Sequence, residues 1–175
     1  MVGYRIIEAQ PWHCGQMARI LRQDHQKALA MLGIPCHAQL RSMFDDSSYR
    51  RACEVDGKLI ALWGVSGPAL AYYGVVWLAL AGEIKKYPIA LIKEVRRQLD
   101  EIMQIKRLLI CTLLEDDEAS HRFAIFLGFV PTVGEAYVLP AETRFGRLEV
   151  ARQLKEAELI PAGTGHVRFM SYKGI

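Results

Sequence analysis

A chain of 175 residues is long enough to bury a sizeable core without disulfide or metal staples, and it fits one domain over residues 1–175. Apolar residues at 51% against 23% charged, with Gly and Pro scattered, exclude a disordered or low-complexity chain. The net charge of +3 does not point to nucleic acid or an anionic membrane as a partner, and it does not rule nucleic acid out.

In chain order, Tyr4 to Ala9 alternates weakly and ends at Gln10-Pro11, which predicts an opening strand and a turn. Met17, Ile20 and Leu21 recur at helical spacing, so Trp12 to about Leu21 reads as a helix. Asp24 to Leu32 reads as a second helix closed by Gly33 and Pro35, and His37 to Phe44 as a third, short one. Tyr49 to Val55 and Lys58 to Ser66 form a hairpin around Asp56-Gly57, a dipeptide that accepts the positive φ angles of a two-residue turn. Leu59 to Gly82 runs 24 residues without a charge, long enough to span a bilayer as a helix. Gly64, Ser66-Gly67-Pro68 and Gly74 break that run, which favours buried strands, the second over Val75 to Leu80, and no integral membrane segment.

Pro88 suits a first helical turn, and Ile89, Ile92, Val95, Leu99 and Ile102 make the apolar stripe of a long helix with Lys93, Glu94, Arg97, Asp100 and Glu101 off it. Leu108 to Leu113 is the next strand, followed by a cap at Asp116-Asp117 and a helix from Glu118 to Leu127 that Gly128 ends. Phe129 to Val133 and Tyr137 to Leu139 read as strand, Leu148 to Ala157 as an extra helix, and His166 to Tyr172 as the last strand. The fold class is α/β: a mixed central sheet of about six or seven strands flanked by helices, with that extra helix inserted before the last strand.

The segment from Asp117 through Ala119-Ser120-His121-Arg122-Phe123-Ala124-Ile125-Phe126-Leu127-Gly128-Phe129, joined to the element order, resembles the GNAT acetyltransferase superfamily. More narrowly, Lys85-Lys86-Tyr87-Pro88 to Ile102, the strand after it and the Glu118 to Phe123 helix are similar to small GNAT-like proteins of tailed bacteriophages. The resemblance implies a pyrophosphate cradle of backbone amides at a helix start, usually Q/R-x-x-G-x-G/A. Laid on this chain, the pattern puts Lys85 at the basic position, Pro88 at the first Gly and Ala90 at the last small position, with Lys86 as a further point charge. Pro88 has no N–H to donate.

The family's acid is commonly a Tyr five residues before the Phe of Leu-Gly-Phe, where this chain has Ala124, so Tyr137 or Tyr87 is the candidate substitute if the fold brings it near. No carboxylate lies on Val75 to Leu80; Glu83 just after it and Glu115 at the end of the next strand are the candidate bases, because strand ends face the cleft in such sheets. In the family that region borders the acceptor site, so the resemblance implies that the extra helix covers the cleft or serves as a docking surface.

Other chemistry finds little footing. The five histidines have no metal-ligand spacing, so no metal is expected. Cys14, Cys36, Cys53 and Cys111 form no C-x-x-C pair, which suits reduced thiols in a cytosolic protein, and no apolar run follows Arg5 to make a secretory signal. Lys85, Lys86, Lys93, Arg96, Arg97, Lys106 and Arg107 could form a basic strip, although Glu94, Asp100 and Glu101 intersperse it. The departures at Pro88, Ala124 and the carboxylate-free strand give the expectation of a degenerate acetyl-CoA site. The chain is then a structural or interaction protein of phage origin, cytoplasmic in the host or carried in the particle, with a protein partner or assembly. The alternative is an acyl-CoA-dependent N-acyltransferase with a divergent site, and acetyl-CoA is its cofactor only if it is active.

Overall fold

The computed structural model describes residues 3–31, 33–113, 118–131 and 136–140. β1 (Tyr4–Glu8) leads into three helices, α1 (Pro11–Ile20), α2 (Gln23–Met31) and α3 (Cys36–Asp45). Three antiparallel strands follow, β2 (Ser47–Val55), β3 (Lys58–Ser66) and β4 (Tyr73–Leu80). A 3-10 turn (Gly82–Lys86) then enters α4 (Pro88–Met103), followed by β5 (Leu108–Thr112), α5 (Glu118–Phe126), β6 (Val130–Pro131) and β7 (Ala136–Pro140). The seven strands form one sheet in the order β1-β2-β3-β4-β5-β7-β6, so the expected mixed sheet flanked by helices is what the chain builds. The expected cap at Asp116-Asp117, the extra helix 148–157 and the strand 166–172 lie outside the described residues.

The charge-free run is strand. From Leu59 to Val65 every residue of β3 is buried, because helices cover both faces of the sheet there. No helix among the described residues is long and apolar enough to cross a membrane. The hairpin turn is the primed type its sequence asks for, with Asp56 at φ 50° and Gly57 at φ 74°. On one face, Met17 of α1 and Leu40, Met43 and Phe44 of α3 pack on Leu59, Leu62, Trp77 and Ala79. Trp77 lies across β3 at Gly64, where an added Cβ would sit 2.7 Å from the Tyr49 carbonyl and 2.8 Å from the indole ring. Its Nε1–H donates to Ser47 Oγ at 2.7 Å, so this large side chain is buried with its polar atom satisfied.

The opposite face carries α4 and α5. Leu99 and Ile102 are buried as the periodicity predicts, but Glu94 and Gln98 are buried too, at 7% and 4% exposure, which corrects the placing of Glu94 off the buried side. They are stable there because they are paired. Glu94 accepts from Arg97 Nη2 at 2.6 Å and from Gln98 Nε2 at 2.9 Å, and Gln98 Oε1 accepts from the Tyr49 hydroxyl at 2.8 Å. Lys106 is a second correction, since it leaves the basic strip for the interior. Its Nζ donates to the carbonyls of Pro68, Ala69 and Ala71 at 2.5, 2.8 and 3.1 Å, and Arg107 N donates to Tyr72 O at 3.0 Å. These bonds hold the β3–β4 loop against the start of β5.

Candidate functional site

The β4–β5 seam is where the sheet opens. Tyr73 pairs with Leu108, Gly74 with Leu109 and Val75 with Ile110, in parallel, and the pairing ends there. β4 continues through Leu80 against β3, while Cys111 and Thr112 of β5 continue against Tyr137 and Ala136 of β7. From Val76 onward the two strands therefore part toward their carboxyl ends, the side on which open α/β sheets hold ligands.

The turn after β4 brings several of the expected residues to the end of this gap. Glu83, Lys85 and Lys86 sit on Gly82–Lys86, all exposed, and Lys86 Nζ lies 3.4 Å from a Glu83 carboxylate oxygen. Tyr87 is the N-cap of α4, offers no side-chain cap, and its N–H donates to Ile84 O at 2.9 Å. Pro88 stands at the first helical position, where a helix has no intrahelical bond for its N–H to make. The first-turn amides with no carbonyl four residues back inside the helix are then Ile89 and Ala90. Pro88 removes one donor and leaves two.

Tyr137 is not with that group. It lies on β7, opposite Cys111, buried against Leu99 and Ala124, and its hydroxyl hydrogen-bonds His121 Nδ1 of α5. Burial raises its pKa above the ordinary phenol value. His121 was not singled out by sequence, although it precedes Ala124 by one helical turn and so shares its side of α5. Glu115 lies outside the described residues. Among the described residues no cluster of His, Cys, Asp and Glu could hold a metal.

Beneath α4 the structure adds an apolar cavity of about 120 Å³. Val76 and Leu78 of β4, Cys111 and Leu113 at the end of β5, and Ala124 of α5 line it on the side of the gap. Trp63 lines it farther in, at 8% exposure, and its Nε1–H has no hydrogen-bond partner among the described residues.

No protein-family model matches the chain, and no curated relative matches it. Solved structures do. A protein of Pyrococcus horikoshii superposes with a TM-score of 0.62 at 10% identity, over 81% of this chain and 100% of its own. The acetyltransferase yncA of Salmonella typhimurium, solved with its cofactor acetyl-CoA, gives 0.56 at 16% identity over 81% and 95%. A GNAT family acetyltransferase of Brucella melitensis in complex with acetyl-CoA gives 0.54 at 13% identity over 82% and 91%. At these identities the likeness is one of backbone, and what it establishes is that this chain has the fold of the GNAT acetyltransferases.

Proposed function

We propose that the chain is an acyl-CoA-dependent N-acyltransferase. The observation that carries this reading is the parting of β4 from β5 after Val75–Ile110, with the N-terminus of α4 and two lysines at its end. The residues present suit a pyrophosphate-bearing donor. The amides of Ile89 and Ala90 and the positive end of the α4 dipole face an anion at that terminus, and Lys85 and Lys86 add point charges. When bound, the donor supplies a thioester whose acyl carbon forms a C–N bond with an amine as its C–S bond breaks; the amine loses a proton and the sulfur gains one.

For those protons the chain offers two groups. Tyr137, held through His121, is the acid that replaces the hydroxyl missing at Ala124; a phenol carries its proton at neutral pH, and burial holds that proton more tightly still. Glu83 is the exposed carboxylate nearest the end of β4, oriented by Lys86, and serves as the base directly or through water. Glu115 is the second candidate base.

The test is a thermal-shift titration of the full chain with CoA and acyl-CoA thioesters. Binding to the native state alone stabilises it by about 2.7 kcal/mol at a hundred times Kd, so an upward shift is expected. Lys85→Ala with Lys86→Ala should weaken it, more at low salt than high. No shift at millimolar thioester overturns the reading. That result would favour the other expectation, a structural or interaction protein of phage origin with a protein partner, which rests on sequence resemblance alone. With activity in hand, Tyr137→Phe should lower kcat while leaving KM nearly unchanged.

A further inference from the structure

We infer that the cavity beneath α4 is an acyl-chain site, and that the group this protein carries is a linear chain of about six carbons. The inference rests on the acyltransferase reading and deepens it. Its first support is position: the cavity is walled by Val76, Leu78, Cys111 and Leu113 from the two strands that part, so it lies against the gap that would hold a thioester. A chain attached at that thioester runs from the gap into the space under α4.

The second support is how the space arises. Ala124 is buried on the cavity wall at 5% exposure, at the position where the family resemblance expects a tyrosine. The small side chain gives up a ring's volume next to the gap. The flanking polar residues Glu94 and Gln98 bond to each other and to Arg97 and Tyr49, which leaves the interior of the cavity to aliphatic, aromatic and thiol side chains.

The third is chemical. Trp63 is more than nine-tenths buried, lines the cavity, and its indole N–H has no acceptor among the described residues. Trp63 is paired across the sheet with Leu78, so the donor stands one strand in from the gap. A chain entering from the gap would lay its hydrocarbon tail against this indole, so the Trp63 N–H reports whether the cavity is filled. For size, a dry apolar cavity of roughly 150 Å³ takes a benzene ring, so the volume of about 120 Å³ here suits a chain of about six carbons and is more than an acetyl group fills.

The experiment compares CoA, acetyl-CoA, hexanoyl-CoA and free hexanoate on the full chain, by calorimetric titration and by the indole N–H signals in a ¹⁵N–¹H spectrum. The chain has three tryptophans, and Trp63→Phe assigns the signal that matters. Each further buried methylene is worth about fourfold in affinity, so hexanoyl-CoA should bind on the order of a hundredfold tighter than acetyl-CoA. The Trp63 signal should move with the hexanoyl ligand and stay with CoA. Ala61→Leu, which fills the cavity from β3, should erase the chain-length preference; Val55→Ile serves if that variant does not fold, and the wild-type series needs neither. Equal affinity for acetyl- and hexanoyl-CoA with an unmoved Trp63 signal would overturn the acyl-chain site and leave the transferase reading standing. Hexanoate moving the Trp63 signal while no CoA compound binds would keep the apolar site and sink the transferase. Silence from all four compounds would sink both.

Discussion

Two cysteines and a tyrosine in the core hold their protons more tightly in the folded chain than they would in water. Burial pushes the thiol of Cys14 up to about 11 and that of Cys53 up to about 12, and it pushes the phenol of Tyr49 up to about 12. In the unfolded chain these groups ionise near their ordinary values of 9 and 10. Above pH 9 the native state therefore binds more protons than the unfolded one, and stability falls as pH rises. The contribution is complete below pH 9 and is lost as pH climbs toward 11 and 12. Urea melts between pH 7 and 11 should show the midpoint falling only above about 9. A midpoint flat to pH 11 would mean that these thiols and the phenol ionise in place. A cysteine or lysine reads identically in sequence whether water or carbonyls surround it: the pattern places Lys106 in a surface strip, while its Nζ sits among the Pro68, Ala69 and Ala71 carbonyls.

At the scale of elements, α4 is the piece on which the candidate site depends, because its N-terminus closes the gap and its flank roofs the cavity. It is held to β2 through Tyr49, whose hydroxyl lies 2.8 Å from Gln98 Oε1 and 3.0 Å from Glu101 Oε1. Tyr49→Phe keeps the ring and removes that donor, leaving the buried Gln98 oxygen unmatched. The expected cost is about 1–2 kcal/mol, seen as a lower urea midpoint at unchanged m-value. A loss below about 0.3 kcal/mol would show that α4 is seated by Val95, Leu99 and Ile102 alone. That division was half legible in sequence. The helix and its apolar stripe follow from the spacing of Val95, Leu99 and Ile102, since periodicity reports which side chains prefer to leave water. Glu94 and Gln98 were illegible there, because their burial depends on partners in β2 and one turn away on α4. For the same reason Lys85, Lys86 and Ala90 could be placed at a helix start from local pattern, while the pairing of His121 with Tyr137 across sixteen residues could not.

The whole molecule has a seam. β2, β3 and β4 are joined by long antiparallel ladders, six residues of β3, Ala61 to Ser66, lying between two partners, and the Asp56-Gly57 turn makes the first of those ladders local. β5, β7 and β6 form a second ladder, and three parallel pairs are the only strand pairing between the two groups among the described residues. Ladders of unequal size joined by a short seam are expected to open separately. Native-state hydrogen exchange should find the slowest amides on β3, around Leu62 and Val65, opening only with global unfolding. Amides of β5 such as Leu109 and Cys111 should exchange through a smaller opening, and the two-residue β6 faster still. Equal protection on β3 and β5 would mean that the apolar contacts of α4 and α5 bridge the seam well enough to make the sheet one cooperative unit. The distinction bears on the site because the parting strands belong to different groups. A ligand seated between them would bind only the closed seam, so it should slow exchange on β5 more than on β3, by a factor that grows with its concentration until the two groups open together.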